Sequence, residues 1–359
     1  MTNRKIGFNI YLTSSSFLNS SHLEKHLVKT KYKAALTSES VRSMPAIDGS
    51  LDNHIYGGYH SEAIERLLGS GWAALPVIIL AAHPDDEVLG AGGLLKYLKD
   101  VRIIHITDGA PKKMKPGSLG FSSSKEYSLA RRAELASALR LLPGGNFETI
   151  ELGIPDLEAT FNLPFIARES ASLFKKIRPA VVFTHPYEGG HPDHDSAAFA
   201  ARAAIKLLEE EGAGAPGLLE FTSYHSRAGR MVTSEFLPGR DSVKFILSEG
   251  ERLLKKEMIE AFITQRGALK VFSTDYERFR RAPFYDFNSP PHEGKLFYEN
   301  FKWGVSGKLW RRCASRALKE LKLNKLTIKK TDRLNASPVQ KSVSNAFDFL
   351  LAAIERIFL

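Results

Sequence analysis

The sequence predicts an α/β fold of Rossmann-like type: a mostly parallel sheet with helices on both faces and an active site at the carboxyl ends of the strands. Two observations carry the expectation. From Pro76 to about residue 212, short apolar runs alternate with amphipathic helical patterns, the signature of βαβ units. Clusters of His, Asp and Glu fall where the apolar runs stop, and ligands of such sheets bind beyond the carboxyl ends of the strands.

Taken in order, "PVIILAA" is a continuous apolar run, short enough for a strand buried on both faces, and "VLGAGGLLKYL" follows with helical spacing. "VRIIHIT" reads as a strand, "SKEYSLARRAELASALRLL" as a helix stopped by Pro143 and Gly144, and "FETIEL" as a strand. "LPFIARESASLFKKI", "PAVVFTH" and "DSAAFAARAAIKLLEEE" continue as helix, strand and helix, the last ended by Gly212. "LLEFTSYH" and "SVKFILS" read as further strands and "ERLLKKEMIEAFITQ" as a helix. Beyond Arg281 the text turns aromatic and irregular, then basic and helical.

The chain has 359 residues, against about 100 to 200 for a typical domain. A core with extensions is expected: residues 1–70 as an N-terminal extension, 71–285 as the main domain, and 286–359 as a basic, partly helical C-terminal extension. Within the first, "SEAIERLLG" has a helical pattern. The final stretch, "NAFDFLLAAIERIFL", reads as an amphipathic docking helix.

The net charge of +10 favours anionic partners but says nothing about fold. Between Lys302 and Lys341 basic residues far outnumber Glu320 and Asp332. That run is a solvated face or a weak anchor on an anionic membrane surface. It lacks the regular aromatic interleaving that stacks on bases, so no nucleic acid is expected. A single cysteine, Cys313, excludes an internal disulfide framework and a Cys-based zinc cluster, and fits a reducing, cytoplasmic location. The N-terminus lacks a signal-peptide pattern, and no window reaches the ~18 apolar residues of a membrane span.

Three polar clusters mark one rim of the sheet: His83 to Glu87, Thr107-Asp108-Gly109, and "THPYEGGHPDHD". His83 and Asp86 stand three apart across Pro84, and His191 and His194 repeat that spacing. Two His and a carboxylate with an open position is the ligand set of a hydrolytic zinc site. Each motif also has a structural alternative. HPDDE would suit a helix N-terminus, where the dipole favours carboxylates, and HPDH a turn capped by Asp193.

In "AAHPDDEVLGAGGLL", "ITDGA", "RRAELASALRLL", "ELGIPD" and "THPYEGGHPDHDSAAFAA" the chain resembles the PIG-L/LmbE-like zinc-dependent N-deacetylases. The likeness covers about residues 76–225 and continues more weakly to about 270. The resemblance implies removal of the acetyl group from an N-acetylated amino sugar of the N-acetylglucosamine type, in a glycoconjugate, glycan or secondary metabolite. It implies His83, Asp86 and His194 as ligands of Zn2+ or another divalent metal, and Asp85 as general base. His191 is implied as the group that stabilises the oxyanion and serves the leaving amine. Arg131 and Asp156 are implied at the sugar or its anionic substituent, and Tyr187 at the oxyanion or the sugar pocket. Glu87 is expected to support the site without touching substrate. Release of a larger acyl group, or a non-catalytic sugar- or nucleotide-binding module suggested by "GAGGLL", remain the alternatives. The latter glycines lie inside a helix and lack the G-x-G-x-x-G turn.

Overall fold

The computed structural model describes residues 75–323, apart from 115–116, 118–119 and 240–241. The expectations for residues 1–70, for the basic residues beyond 323 and for the final amphipathic stretch therefore lie outside the described residues.

The chain enters as β1 (Val77–Ala81), and every residue of this strand is buried. Its alternate side chains serve two cores: Val77, Ile79 and Ala81 pack in one, Ile78 and Leu80 in the other. A strand covered on both faces has no reason to alternate polar and apolar residues, which is why it reads as a continuous apolar run. Helix α1 (Asp86–Leu95) follows, then β2 (Asp100–Pro111), α2 (Ser124–Leu139), β3 (Asn146–Asp156), α3 (Leu163–Ile177), β4 (Val181–Thr184), α4 (Pro192–Glu210) and β5 (Gly217–Phe221). A small hairpin of β6 (Tyr224–Arg227) and β7 (Arg230–Thr233) stands apart from the main sheet. The chain continues through β8 (Val243–Ile246), α5 (Glu249–Glu260), helical turns over 263–269, β9 (Tyr276–Arg281) and α6 (Gly307–Glu320).

The seven-stranded sheet has the order β3-β2-β1-β4-β5-β9-β8. The first five strands are mutually parallel, and β9 and β8 join antiparallel. The chain winds outward from β1 through β2 to β3, then crosses back to place β4 on the other side of β1. Adjacent strands whose connections leave in opposite directions open a crevice at their carboxyl ends. The β1 and β4 loops therefore face each other.

Helices α1, α2 and α5 cover one face of the sheet, and α3 and α4 the other. The glycines of α1 are required by close approach. A Cβ on Gly90 would lie 2.2 Å from the Phe221 ring, and one on Gly93 would lie 2.4 Å from Leu247. The "GAGG" run thus serves helix-to-sheet packing.

The boundary expected at 285 does not coincide with an edge of the packed body. Helix α4 is apolar around most of its circumference, and such a helix must be covered on all sides. Ala197, Ala200, Ala201 and Ala204 face the sheet, while Ala198, Phe199 and Ala203 pack with Phe287, Leu296, Tyr298 and Trp310. The indole N–H of fully buried Trp310 lies 3.2 Å from Pro192 O and 3.1 Å from Ser196 Oγ. Residues 286–323 complete the core. No helix among the described residues is long and apolar enough to cross a membrane.

Candidate metal centre and active site

Where β1 ends, Ala82-His83-Pro84-Asp85 turns the chain into α1. Asp85 stands at φ 148°, a region that non-glycine residues rarely adopt and that costs about 1–3 kcal/mol. Several tethers hold it. Arg131 Nη2 donates to Asp85 Oδ2 at 2.9 Å and to Pro84 O at 2.8 Å, and Glu87 Oε2 lies 3.4 Å from the Asp85 amide. Glu87 is itself fully buried, with His105 Nε2 3.2 Å from the same oxygen.

The loop from β4 to α4 is folded back by its own helix: Asp195 Oδ1 accepts the amides of Glu188 at 3.2 Å and Gly189 at 3.0 Å. Gly190 is required because a Cβ there would sit 1.8 Å from the carbonyl oxygen of Tyr224. His191 caps α4, its Nδ1 accepting the Asp193 amide at 3.2 Å. The cap is therefore His191, and Asp193 has another task. Its carboxylate accepts the amides of Leu157 and Ala159 at 2.7 and 3.2 Å and faces His83 Nε2 at 3.4 Å.

These two loops bring His83 Nδ1 within 3.2 Å of Asp86 Oδ2, and His194 Nε2 within 3.3 Å of Asp86 Oδ1. His191 and His83 rings meet edge to face at 4.6 Å. On its far side His83 Nε2 lies 3.2 Å from Asp156 Oδ1. His185, the last residue before Pro186, stacks on His194 at 4.1 Å and approaches Asp86 Oδ2 at 3.3 Å. Potential metal-binding donors fall into three overlapping groups, each spanning no more than 4.8 Å: His83, His191 and His194; His83, Asp156, His191 and Asp193; Asp86, His185 and His194.

The electrostatics suit a cation. Burial disfavours the Asp86 carboxylate, yet the adjacent His194 and His185 hold its pKa well below the ordinary range. Burial and His185 push His194 down to about 3, leaving a neutral imidazole with a lone pair to offer. His191 is likewise held low by burial and by His83. Burial opposes charge on His83, but hydrogen bonds to Asp156, Asp193 and Asp86 raise it well above its usual value. His185 Nε2 accepts the Ala82 amide at 3.2 Å while facing Asp86 Oδ2, and its buried Nδ1 has no partner. His194 is engaged at both ring nitrogens, Nδ1 lying 2.9 Å from Ser223 Oγ and Nε2 3.3 Å from Asp86 Oδ1. Such a donor set, with carboxylates behind the ligating imidazole, fits a divalent metal.

The family model "PIG-L: GlcNAc-PI de-N-acetylase" matches residues 78–205, the span from β1 into α4 that holds both loops. The chain is 26% identical over 147 residues to a probable N-acetyl-alpha-D-glucosaminyl L-malate deacetylase 2 of Bacillus cereus, covering 38% of this chain and 63% of that one. It is 30% identical over 139 residues to the diacetylchitobiose deacetylase of Thermococcus kodakarensis, covering 36% and 49%. The matched stretches thus span about half to under two-thirds of these relatives. Among solved structures, the N,N'-diacetylchitobiose deacetylase of Pyrococcus horikoshii superposes with a TM-score of 0.42 at 20% identity, over 66% of this chain and 95% of that one.

Within the PIG-L region, His83, Asp86, His191 and His194 meet in one crevice and Asp85 lies at its edge. Asp156 reaches the same crevice and is its most exposed carboxylate, at 23%. Arg131 does not project into open space: its guanidinium is buried between Asp85, Pro84 O and Gly109 O. Tyr187 departs from the expected pocket wall. It is buried against Trp310 and Phe287, outside the PIG-L region, and its hydroxyl donates to Ser289 O at 2.9 Å. An apolar core was available to receive it once residues 286–323 covered α4. Sequence reasoning missed His185, Asp193's contact with His83, and Ser223. For His185 the signal was present, since "THP" repeats the strand-end His-Pro of "AHP".

Proposed function

We propose that this chain is a metal-dependent amide hydrolase that removes the acetyl group from an N-acetylated amino sugar of the N-acetylglucosamine type, using Zn2+ held by His83, Asp86 and His194. The observation that supports the reading is that Asp86 bridges two imidazoles, with His83 Nδ1 3.2 Å from its Oδ2 and His194 Nε2 3.3 Å from its Oδ1, beside a tethered, strained Asp85 at the β1/β4 crevice; the tightest donor clusters join His194 either to His83 and His191 or to Asp86 and His185. Zinc in such a site lowers the pKa of water to about 7 and polarises a carbonyl.

The chain's own groups supply the remaining chemistry. Burial pushes the Asp85 carboxyl up to about 8, against the pull of Arg131. A carboxylate poised near neutrality suits a group that takes a proton from the attacking water and returns it. His191 accepts the Asp193 amide at Nδ1, so its neutral ring carries the proton on Nε2 and can donate to the oxygen that gains charge. The water oxygen bonds to the carbonyl carbon, the C–N bond breaks, and the amine leaves with the proton from Asp85. Acetate and a free amino sugar result. Asp156 and Asp193 orient His83 from behind.

The test is acetate release by zinc-loaded protein across a panel of N-acetylglucosamine conjugates, with Asp85→Asn as control. No acetate from any member would overturn the reading. An acyl-chain series separates it from cleavage of larger acyl groups, for which long chains would be preferred.

A further inference from the structure

Four partly buried aromatic rings form an arc from one end of the His191–His194 turn to the other. His191 lies 4.8 Å from Trp303, centroid to centroid, and Trp303 stacks on Phe301 at 4.4 Å and 12°. Phe301 meets Phe297 at 5.3 Å, Phe297 meets Tyr224 at 5.5 Å, and Tyr224 meets His194 at 5.2 Å. None of these four rings belongs to the matched family region.

The segment that carries three of them is anchored by different side chains. Leu296, Tyr298 and Val305 are buried, while Phe297, Phe301 and Trp303 keep partial exposure. The Glu299 carboxylate accepts the amides of Leu296 at 3.1 Å and Gly307 at 2.8 Å, and the Phe297 amide donates to Gly189 O at 2.8 Å. A pinned backbone thus displays contiguous apolar rings beside imidazoles and carboxylates. Ligand sites combine such aromatic walls with a few placed polar groups. A pyranose ring matches that combination, since its C–H face is apolar and its rim carries hydroxyls.

We propose that Trp303, Phe301, Phe297 and Tyr224 form a saccharide-stacking wall, and that the substrate has at least two pyranose units. The acetylated unit lies against Trp303 beside His191, and its neighbour along Phe301 and Phe297. The inference rests on the deacetylase reading and extends it to the substrate class.

The experiment uses the full zinc-loaded chain, its Phe301→Ala and Trp303→Phe variants, and four probes: N-acetylglucosamine, N,N'-diacetylchitobiose, the corresponding trisaccharide, and octyl N-acetylglucosaminide. The expected result is a gain in kcat/KM of about tenfold from mono- to disaccharide, the size of one or two stacking contacts. Phe301→Ala collapses that ratio through KM, and far-UV circular dichroism verifies its fold. Binding is read separately, as a change in tryptophan fluorescence on adding deacetylated glucosamine trisaccharide that is lost in Trp303→Phe. Equal kcat/KM for mono- and disaccharide, an unchanged ratio in Phe301→Ala, or preference for the octyl glycoside overturns the wall while leaving the deacetylase reading intact. Fluorescence binding without acetate from any probe supports the wall and overturns the deacetylase reading.

Discussion

Arg131 Nη2 lies 2.9 Å from Asp85 Oδ2, and both side chains are buried. The pair fixes a carboxyl whose backbone is strained, so removing the guanidinium leaves Asp85 Oδ2, Pro84 O and Gly109 O without their buried donor. Arg131→Ala should lower stability by about 1–3 kcal/mol, read by denaturant unfolding. Lysine supplies charge without the planar fork that reaches Pro84 O and Gly109 O, and should restore only part of it. Asp85→Asn separates position from chemistry: acetate release should fall by about 10²–10⁴ with metal content unchanged. Loss of metal in Asp85→Asn would instead make Asp85 a ligand.

Metal binding should stabilise the fold. A ligand bound only by the native state, at a free concentration of 1,000 times its Kd, adds about 4 kcal/mol. Chelation should therefore lower Tm, and His194→Ala should lose bound zinc by elemental analysis and show no further drop on chelation. A Tm indifferent to chelator in the native chain would contradict the assignment.

Trp310 fills the interface between α6 and α4 and carries no exposed surface. Trp310→Ala should cost about 3–5 kcal/mol. Truncation after residue 285 should yield protein without a cooperative unfolding transition, because Phe199, Ala198 and Ala203 would face water. A truncated chain that melts as sharply as the whole would restore a domain boundary at 285.

Burial pushes the Glu220 carboxyl from 4.5 to about 7, against Arg280 and Arg202. The folded-state value is the higher one, so the folded chain binds this proton more tightly than the unfolded chain. The contribution is fully present below about 4.5 and is lost as pH rises through about 7. Glu220→Gln should flatten the stability–pH curve over that window, measured by denaturant midpoints at stepped pH.

Gly190→Ala would drive a methyl into the Tyr224 carbonyl at 1.8 Å. Because backbone lies on the other side, the β4–α4 loop must move. Overpacking of this kind costs about 1–3 kcal/mol, and the displacement carries His191 and His194 with it. Activity should therefore fall further than stability, as seen by comparing kcat/KM with Tm.

The parallel part of the sheet was legible because β1 and β4 are buried on both faces and so read as apolar runs. Strand β9 was not. "YERFRR" has charges at positions that are buried, and their partners are remote: Lys255 lies 2.9 Å from Glu277, and Glu220 lies 2.9 Å from Arg280. Only pairing across the fold makes those residues compatible with an interior strand. Helix α4 was legible as a helix, but its burial on all sides depends on residues nearly a hundred positions later.

The sequence by itself determined the alternation of strands and helices from β1 to α4 and the composition of the two strand-end motifs, since both follow from local periodicity and adjacent residues. It also determined that metal ligands must be His and carboxylates, because sulfur is confined to Cys313 and the methionines. Tertiary structure alone decided that His185 joins Asp86, that Arg131 serves Asp85 rather than open space, and that Tyr187 turns into the core. It also decided that Trp303 reaches His191. Each of these contacts links segments between 46 and 123 residues apart, or strands adjacent only through the crossover. Burial and charge pairing across such distances are set by packing, and no local pattern in the chain encodes them.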